Sequence, residues 1–413
     1  MTRERSHGAA LVLLAVAVPI GEGVGVFATA ALALATVARR RELELAPCVA
    51  GVAGRTLLAF GVWLAAGLVA VALGHEGLHR ASELGILVPL LALPLVLIAV
   101  RALPPRWLAL ATAAFVLTLA VACVFALLQF AFNVRPGESI ARVASTVASQ
   151  GRIPGDFERT AAGGFYFHRL KMAHVLLLGI GVLWSRQLFG ALSARRRVAE
   201  LVLLGLYACT LMFTYTRGAL LAAAVAMVAT LVFAPRRYKV AGLGLAVVAG
   251  ILMLSIPSVR GRLASIGGSE AKAVRALIWS QGVRIIADHP LGVGLSNYPA
   301  VVNRYYDAED PHFDIRTYPH NILFAAWAEA GPIGLVAYAM AWLQVILGCI
   351  AALWRRGGDR ALRVTAGAGL FGVTALFVVG LTHDVLFHKP VALAFSLLVG
   401  ATLARLATEP EEG

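Results

Sequence analysis

The stretch RTYPHNILFAAWAEAGPIG, Arg316 to Gly334, sets Arg, Tyr, His and Asn together directly ahead of a hydrophobic segment that runs on to residue 353. If that segment crosses a membrane, the polar cluster marks one of its faces, so the topology has to be read first. Of the 413 residues, 60% are hydrophobic and 14% charged. Apolar runs of roughly 17 to 25 residues, the length that crosses a hydrocarbon core, recur along the chain.

The composition describes an all-α integral membrane protein, one polytopic domain over residues 1–413 with about twelve transmembrane helices. Spans are expected near 9–20, 24–38, 48–73, 83–100, 107–131, 170–185, 198–214, 218–234, 239–256, 333–353, 362–381 and 390–407. The opening MTRERSHG and the apolar run after it look like a signal peptide, but without a small-x-small cleavage site they read as a retained first span.

Basic residues gather at every second connection: Arg39 to Arg41, Arg101 with Arg106, Arg186 with Arg195 to Arg197, Arg236 with Arg237 and Lys239, and Arg355 to Arg363. The positive-inside bias makes that face cytoplasmic, with both termini on it. A full span at 321–330 would put Arg355 and its neighbours on the wrong side. That run is therefore expected to be a short helix on the outer surface, turning through Gly331, Pro332 and Gly334 into the span that starts near Ile333. The opening stretch then faces outward.

Two outer segments exceed what a connection needs: residues 132–169, and a large loop with surface helices at 257–332. Both carry many cations, mostly Arg, including Arg142, Arg169, Arg275, Arg284 and Arg316. A single such Arg reads as a solvated surface charge. As a group they fit a phosphorylated lipid, because the planar guanidinium binds phosphate through two parallel hydrogen bonds. Arg217, in FTYTRGALLAAAVAMVATLVF, sits at the outer end of two consecutive spans with almost no loop around it. An ionisable residue at that boundary points to function, with snorkelling to the headgroups as the alternative.

Other patterns carry less. The four cysteines, Cys48, Cys123, Cys209 and Cys349, have neither CxxC spacing nor neighbouring histidines, so no disulfide framework or zinc site is expected. GEGVGVFA at Gly21 imitates a dinucleotide loop but follows no strand. DAEDPHFD, Asp307 to Asp314, offers alternating acids and a histidine to a divalent ion. His383, Asp384 and His388 form a second outer cluster, structural or facing substrate rather than metal-binding.

TRGALLA (Thr216 to Ala222), RALIWSQGVRIIADHPLGVGLSNY (Arg275 to Tyr298) and HNILFAAWAEAGPIG (His320 to Gly334), with GGFYFHRLKMAHVLLLG (Gly163 to Gly179) earlier, resemble the O-antigen ligase and polymerase superfamily of bacterial membrane glycosyltransferases. The resemblance also covers the twelve-span layout, and it is nearest to O-antigen ligase. It implies a GT-C-like membrane fold in the bacterial inner membrane, a periplasmic active site and a part in lipopolysaccharide biosynthesis. The implied reaction transfers a glycan from undecaprenyl pyrophosphate to a sugar of lipid A-core, with no cofactor, metal or nucleotide. A polymerase would pass the glycan to another repeat unit, and a protein O-oligosaccharyltransferase to a Ser or Thr hydroxyl. By resemblance, the functional arginines are Arg217 and Arg275 and the functional histidine is His320.

The chemistry suits those residues. A sugar hydroxyl is weakly acidic, and a histidine can take its proton near neutral pH. Charge grows on the departing diphosphate, where fixed guanidinium groups would hold it, a contribution worth about 100- to 1000-fold in rate. A diphosphate leaves without a proton donor, unlike the alkoxide of a glycosidase. Direct attack would invert the anomeric centre.

Candidates for substrate contact are Arg284, His289, Arg316, Tyr318, Asn321, His168, Arg169 and Arg142. Capping of a helix start explains Asn321 better than it explains His320. The expected partners are the lipid-linked donor, the lipid A-core acceptor and membrane lipids, with no nucleic acid, and the chain is expected to act as a monomer. A lipid-linked sugar flippase would share the composition but place its polar residues at mid-membrane around a cavity. Here they gather at one face.

Overall fold

The computed structural model describes residues 2–44, 50–73, 88–134, 151–154, 156–240, 242, 244, 269–305, 318–355 and 359–407. The fold is nearly all helical. Its helices are α1 (Thr2–Ile20), α2 (Glu22–Ala38), α3 (Gly51–Leu73), α4 (Val88–Ala102), α5 (Pro105–Phe132), α6 (Arg169–Phe189), α7 (Ala194–Phe213), α8 (Arg217–Leu231), α9 (Ser269–Asp288), α10 (Ile322–Trp354), α11 (Arg360–Gly380) and α12 (Lys389–Leu406). Six of them, α3, α5, α6, α10, α11 and α12, are long and apolar enough to cross a membrane, while α2, α4 and α8 are shorter apolar helices. The span expected at 239–256 lies almost entirely outside the described residues.

Burial separates centre from periphery. The apolar window of α6 is 89% buried, against 33% for α3 and α5. Helix α6 packs on α11, which also receives α8, α10 and α12, while α3 packs on α10 and α4 on α12. Leu58 and Leu68 on α3 and Leu117 and Val121 on α5 are exposed, as expected of helices whose outer sides meet lipid rather than water.

Helix α10 decides how the end of the bundle near its start is built. It runs through a kink at Gly331, whose φ of 66° and ψ of −171° are not helical, and Pro332 follows. Proline has no N–H, so the carbonyl of Ala328, four residues back, loses its helical donor. A polar group stranded in an apolar setting costs several kcal/mol, of the order of 2–7. The loop after α9 supplies the missing donors: Val293 N–H donates to Ala328 O at 2.8 Å, and Gly294 N–H to Glu329 O at 3.0 Å. The loop must come very close to do so. A Cβ on Gly292, where φ is +92°, would lie 2.6 Å from Glu329 O, and one on Gly331 would lie 2.8 Å from Leu291 O. The D-H-P-L-G-x-G and Glu-x-Gly-x-x-Gly stretches are thus two halves of one joint.

Residues 322–330 form the first half of α10, set off from the rest by the kink at Gly331. Ile322, Ala325, Ala326, Ala328, Glu329 and Ala330 are buried, because α9 and the 289–297 loop cover them. Leu295 of that loop also approaches α3, its N–H reaching Gly67 O at 3.4 Å.

The segment between α5 and α6 contains a short antiparallel hairpin, Arg152–Ile153 with Asp156–Thr160, which an all-helical expectation did not include. Asn133, left-handed at the end of α5, binds it by accepting from Thr160 N–H at 2.8 Å and donating to Glu158 O at 2.9 Å. Tyr166 then donates to Val18 O at 2.7 Å, and the chain enters the bundle as α6. Among the described residues Cys123, Cys209 and Cys349 are free thiols; Cys48 lies outside those residues.

Gly292→Ala should lower the stability of the purified protein by roughly 1–3 kcal/mol, through backbone strain and the clash with Glu329 O. A thermal melt within a degree of wild type would show that the joint tolerates a side chain.

Candidate functional site

Four helices begin around one turn, Leu381 to His388. His168 stands at the N-cap of α6, Thr216 at that of α8, Asn321 at that of α10 and His388 at that of α12. Contacts join them. The His168 and His388 rings lie 5.5 Å apart, and those of His320 and His383 lie 6.1 Å apart. A Cβ on Gly218 would come within 3.4 Å of Thr382 Oγ1 and 3.7 Å of His383 Cδ2. Each helix start carries a partial positive charge, so the shared end suits an anion, with the α10 and α6 starts already partly capped by Asn321 and His168.

Local sequence sets each member. Tyr215, at φ 53°, closes the connection between α7 and α8 so tightly that Arg217 is the first residue of α8. Thr214 Oγ1 donates to Leu211 O at 2.7 Å and accepts from Thr216 N–H at 3.3 Å, which fixes that connection. Asn321 accepts from Leu323 N–H at 2.9 Å and Phe324 N–H at 3.2 Å, capping α10, and its Nδ2 donates to Leu381 O at 3.4 Å. Its polar atoms thus hold the helix start to the turn.

His320 precedes that cap in a left-handed conformation, φ 51°, uncommon for a residue with a side chain. Strained backbone of this kind is held in place by its surroundings and clusters at functional sites. Its Nδ1 lies 2.9 Å from Oδ2 of the buried Asp384, a close approach whose angle is not that of a straight hydrogen bond. A small rotation of the ring aligns the pair. With Nδ1 directed at Asp384, Nε2 is the nitrogen left for a substrate.

The approach to His320 is fastened from both sides. Trp279 of α9 donates from Nε1 to Pro319 O at 3.1 Å. Tyr318 stacks on Tyr298 at 5.9 Å and on Phe387 of the turn at 3.9 Å. Beneath this stack a narrow crevice is lined by Trp63, Leu295, Ser296, Ile322, Glu329, Tyr338 and Phe387. Glu329 is fully buried there; the backbone of Ser296 and Tyr298 and the Tyr318 hydroxyl face it, and neither carboxyl oxygen receives a hydrogen bond of good geometry.

Histidines crowd the same end. From His320 the rings pass to His383, then to His174 at 5.7 Å, on to His388 at 6.4 Å, and to His168. Burial, reinforced by His388, Lys171 and Arg169, holds the His168 imidazole far below the usual histidine range. Burial and Lys171 push His388 down to about 4. Among the described residues no group of three or more His, Cys, Asp or Glu is arranged to hold a metal ion. The possible cation site at Asp307 to Asp314 lies outside those residues.

Of the residues singled out in the sequence, Arg217, His320, Tyr318, Asn321, His168 and Arg169 come to this end of the bundle. Arg275 lies on α9 one turn before Trp279, its side chain outside the described part. Arg284 is directed elsewhere, donating to Gln281 Oε1 at 3.3 Å and lying 5.7 Å over the Tyr305 ring. His289 sits in the turn that leaves α9, its N–H bonded to Ile285 O. Arg142 and Arg316 lie outside the described residues. Sequence reasoning missed Asp384 as the partner of His320 and missed Glu329. The first had a signal, the HDVLFH cluster, but nothing tied it to His320.

Residues 201–339 match the family model described as O-antigen ligase. Over these residues the chain is similar to that family. It contains Arg217, Arg275, His320 and both halves of the α10 joint, and it stops short of the Leu381 to His388 turn. No curated protein matches the chain.

Asn321→Ala should cost about 1 kcal/mol of stability, and Asn321→Asp, which keeps the capping oxygen, should restore most of it. Equal melting of the two variants would deny the cap its role.

Proposed function

We propose that the protein is an O-antigen ligase of the bacterial inner membrane, transferring a glycan from undecaprenyl pyrophosphate to a sugar hydroxyl of lipid A-core at the periplasmic face. Both termini are then cytoplasmic. The observation that carries this reading is the shared turn: Gly218, beside Arg217, packs on Thr382 and His383, and His320 pairs with Asp384 of the same turn. A base and an anion seat therefore border one place.

In the proposed reaction Nε2 of His320 takes the proton of the acceptor hydroxyl as its oxygen attacks the anomeric carbon. The bond from that carbon to the diphosphate oxygen breaks, and the electron pair leaves with the diphosphate. Asp384, a positioning residue, aligns the ring and offsets the charge the imidazole gains. Arg217, Arg275 and the converging helix starts stabilise the charge developing on the leaving group. Attack from the face opposite the diphosphate inverts the anomeric centre. No metal enters these steps, so activity should persist in chelator.

Purified protein given a polyprenyl-diphosphate glycan, with lipid A-core, a second carrier molecule and a protein acceptor offered in parallel, should glycosylate lipid A-core. Sugar gained by the second carrier instead would make it a polymerase. His320→Ala should abolish transfer while the protein remains folded, and Arg217→Lys should lower the rate by about 100-fold or more. Near-normal turnover by His320→Ala would remove it from the mechanism.

A further inference from the structure

Five of the ten histidines in the chain stand in one array, and the reaction uses only His320. At its centre is His174 on α6, fully buried, with neither ring nitrogen hydrogen-bonded. A buried imidazole without a partner is costly unless something else supplies one. Its ring faces His383 and His388, directly beside the converging helix starts, so a ligand seated there would be within its reach.

The charges around the array explain why it is built of histidine rather than lysine. His174 and His388 are faced by His168 and Arg169 at the start of α6, by Lys171 in the next turn, and by His383 of the turn. His320 stands ahead of α10, and Glu22 of α2 is paired to Lys171 at 2.6 Å. Asp384 is drawn to His320. The empty seat is thus rich in cations and donors, and further fixed charge would repel itself. Imidazoles that stay neutral until an anion arrives avoid that cost.

We propose that the array centred on His174 takes up a proton when a polyprenyl diphosphate seats at the four helix starts, so that the diphosphate is held by charge that exists only while it is bound. This rests on the reading of that end as the diphosphate site. The leaving diphosphate, a monoester, carries more charge than the glycan-bearing diester, so the array favours the product and makes its release depend on pH. The sign follows from linkage. A bound anion raises the proton affinity of the imidazoles, so affinity is flat above the bound-state pKa and rises as pH falls below it. It levels off again only below the empty-state value, which for His388 is about 4.

The test is calorimetric binding of farnesyl diphosphate to the detergent-purified full chain, at pH 6.5, in two buffers of different ionisation enthalpy. Wild type should take up on the order of one proton per ligand, and affinity should tighten up to about tenfold per pH unit as pH falls. His388→Gln and His174→Gln should still bind but lose most of the uptake. If His174→Gln does not fold, His388→Gln alone carries the comparison. Binding without proton uptake in wild type overturns the proposal and leaves the diphosphate site standing. So does uptake unchanged in His388→Gln and lost only in His320→Gln. Failure of wild type to bind farnesyl diphosphate overturns both.

Discussion

This end of the bundle depends on two carbonyls at the break in α10, Ala328 O, whose helical donor Pro332 lacks, and Glu329 O beside it. Pro332 and Gly331 break the ladder of α10, and the amides of Val293 and Gly294 repair it. Where water is scarce the repair is close to obligatory, because an unpaired backbone group has nothing else to bond. It follows that the loop after α9 cannot drift, and neither can α9. Trp279 then fastens Pro319, and His320 is left in a left-handed conformation that an isolated chain would rarely choose.

A second constraint is electrostatic. Gathering the starts of α6, α8, α10 and α12 at one turn concentrates partial positive charge that no protein needs for stability. The arrangement is unfavourable when empty and rewarding when an anion is present. The ion pair of Lys171 with Glu22 tempers the charge nearby. That charge comes from one feature of the fold, the direction in which its helices run.

The helical architecture was legible in the sequence because crossing a hydrocarbon core imposes a length that few other structures need. Helices occupy the segments expected near 107–131, 170–185 and 390–407 within a few residues. The residues at 321–330, expected as a short helix ahead of the span, form the first half of α10. They are buried because another part of the chain covers them, a tertiary fact that no local pattern encodes. In the same way Pro332 and the glycines of Leu291–Gly294 were visible as turn residues, but their mutual bonding was not. Arg217 stood out because two spans met with almost no loop between them. Asp384 could be seen as part of a polar cluster, yet its pairing with His320 joins segments far apart in the chain.

The turn from Leu381 to His388 touches the cap of α10 through Asn321, the start of α8 through Gly218 and His320 through Asp384. Functions mounted on a common support do not vary independently. Lesions on either side of this hub should therefore overlap in their cost instead of accumulating, and any remodelling of this end of the bundle would have to proceed around the hub while leaving it untouched.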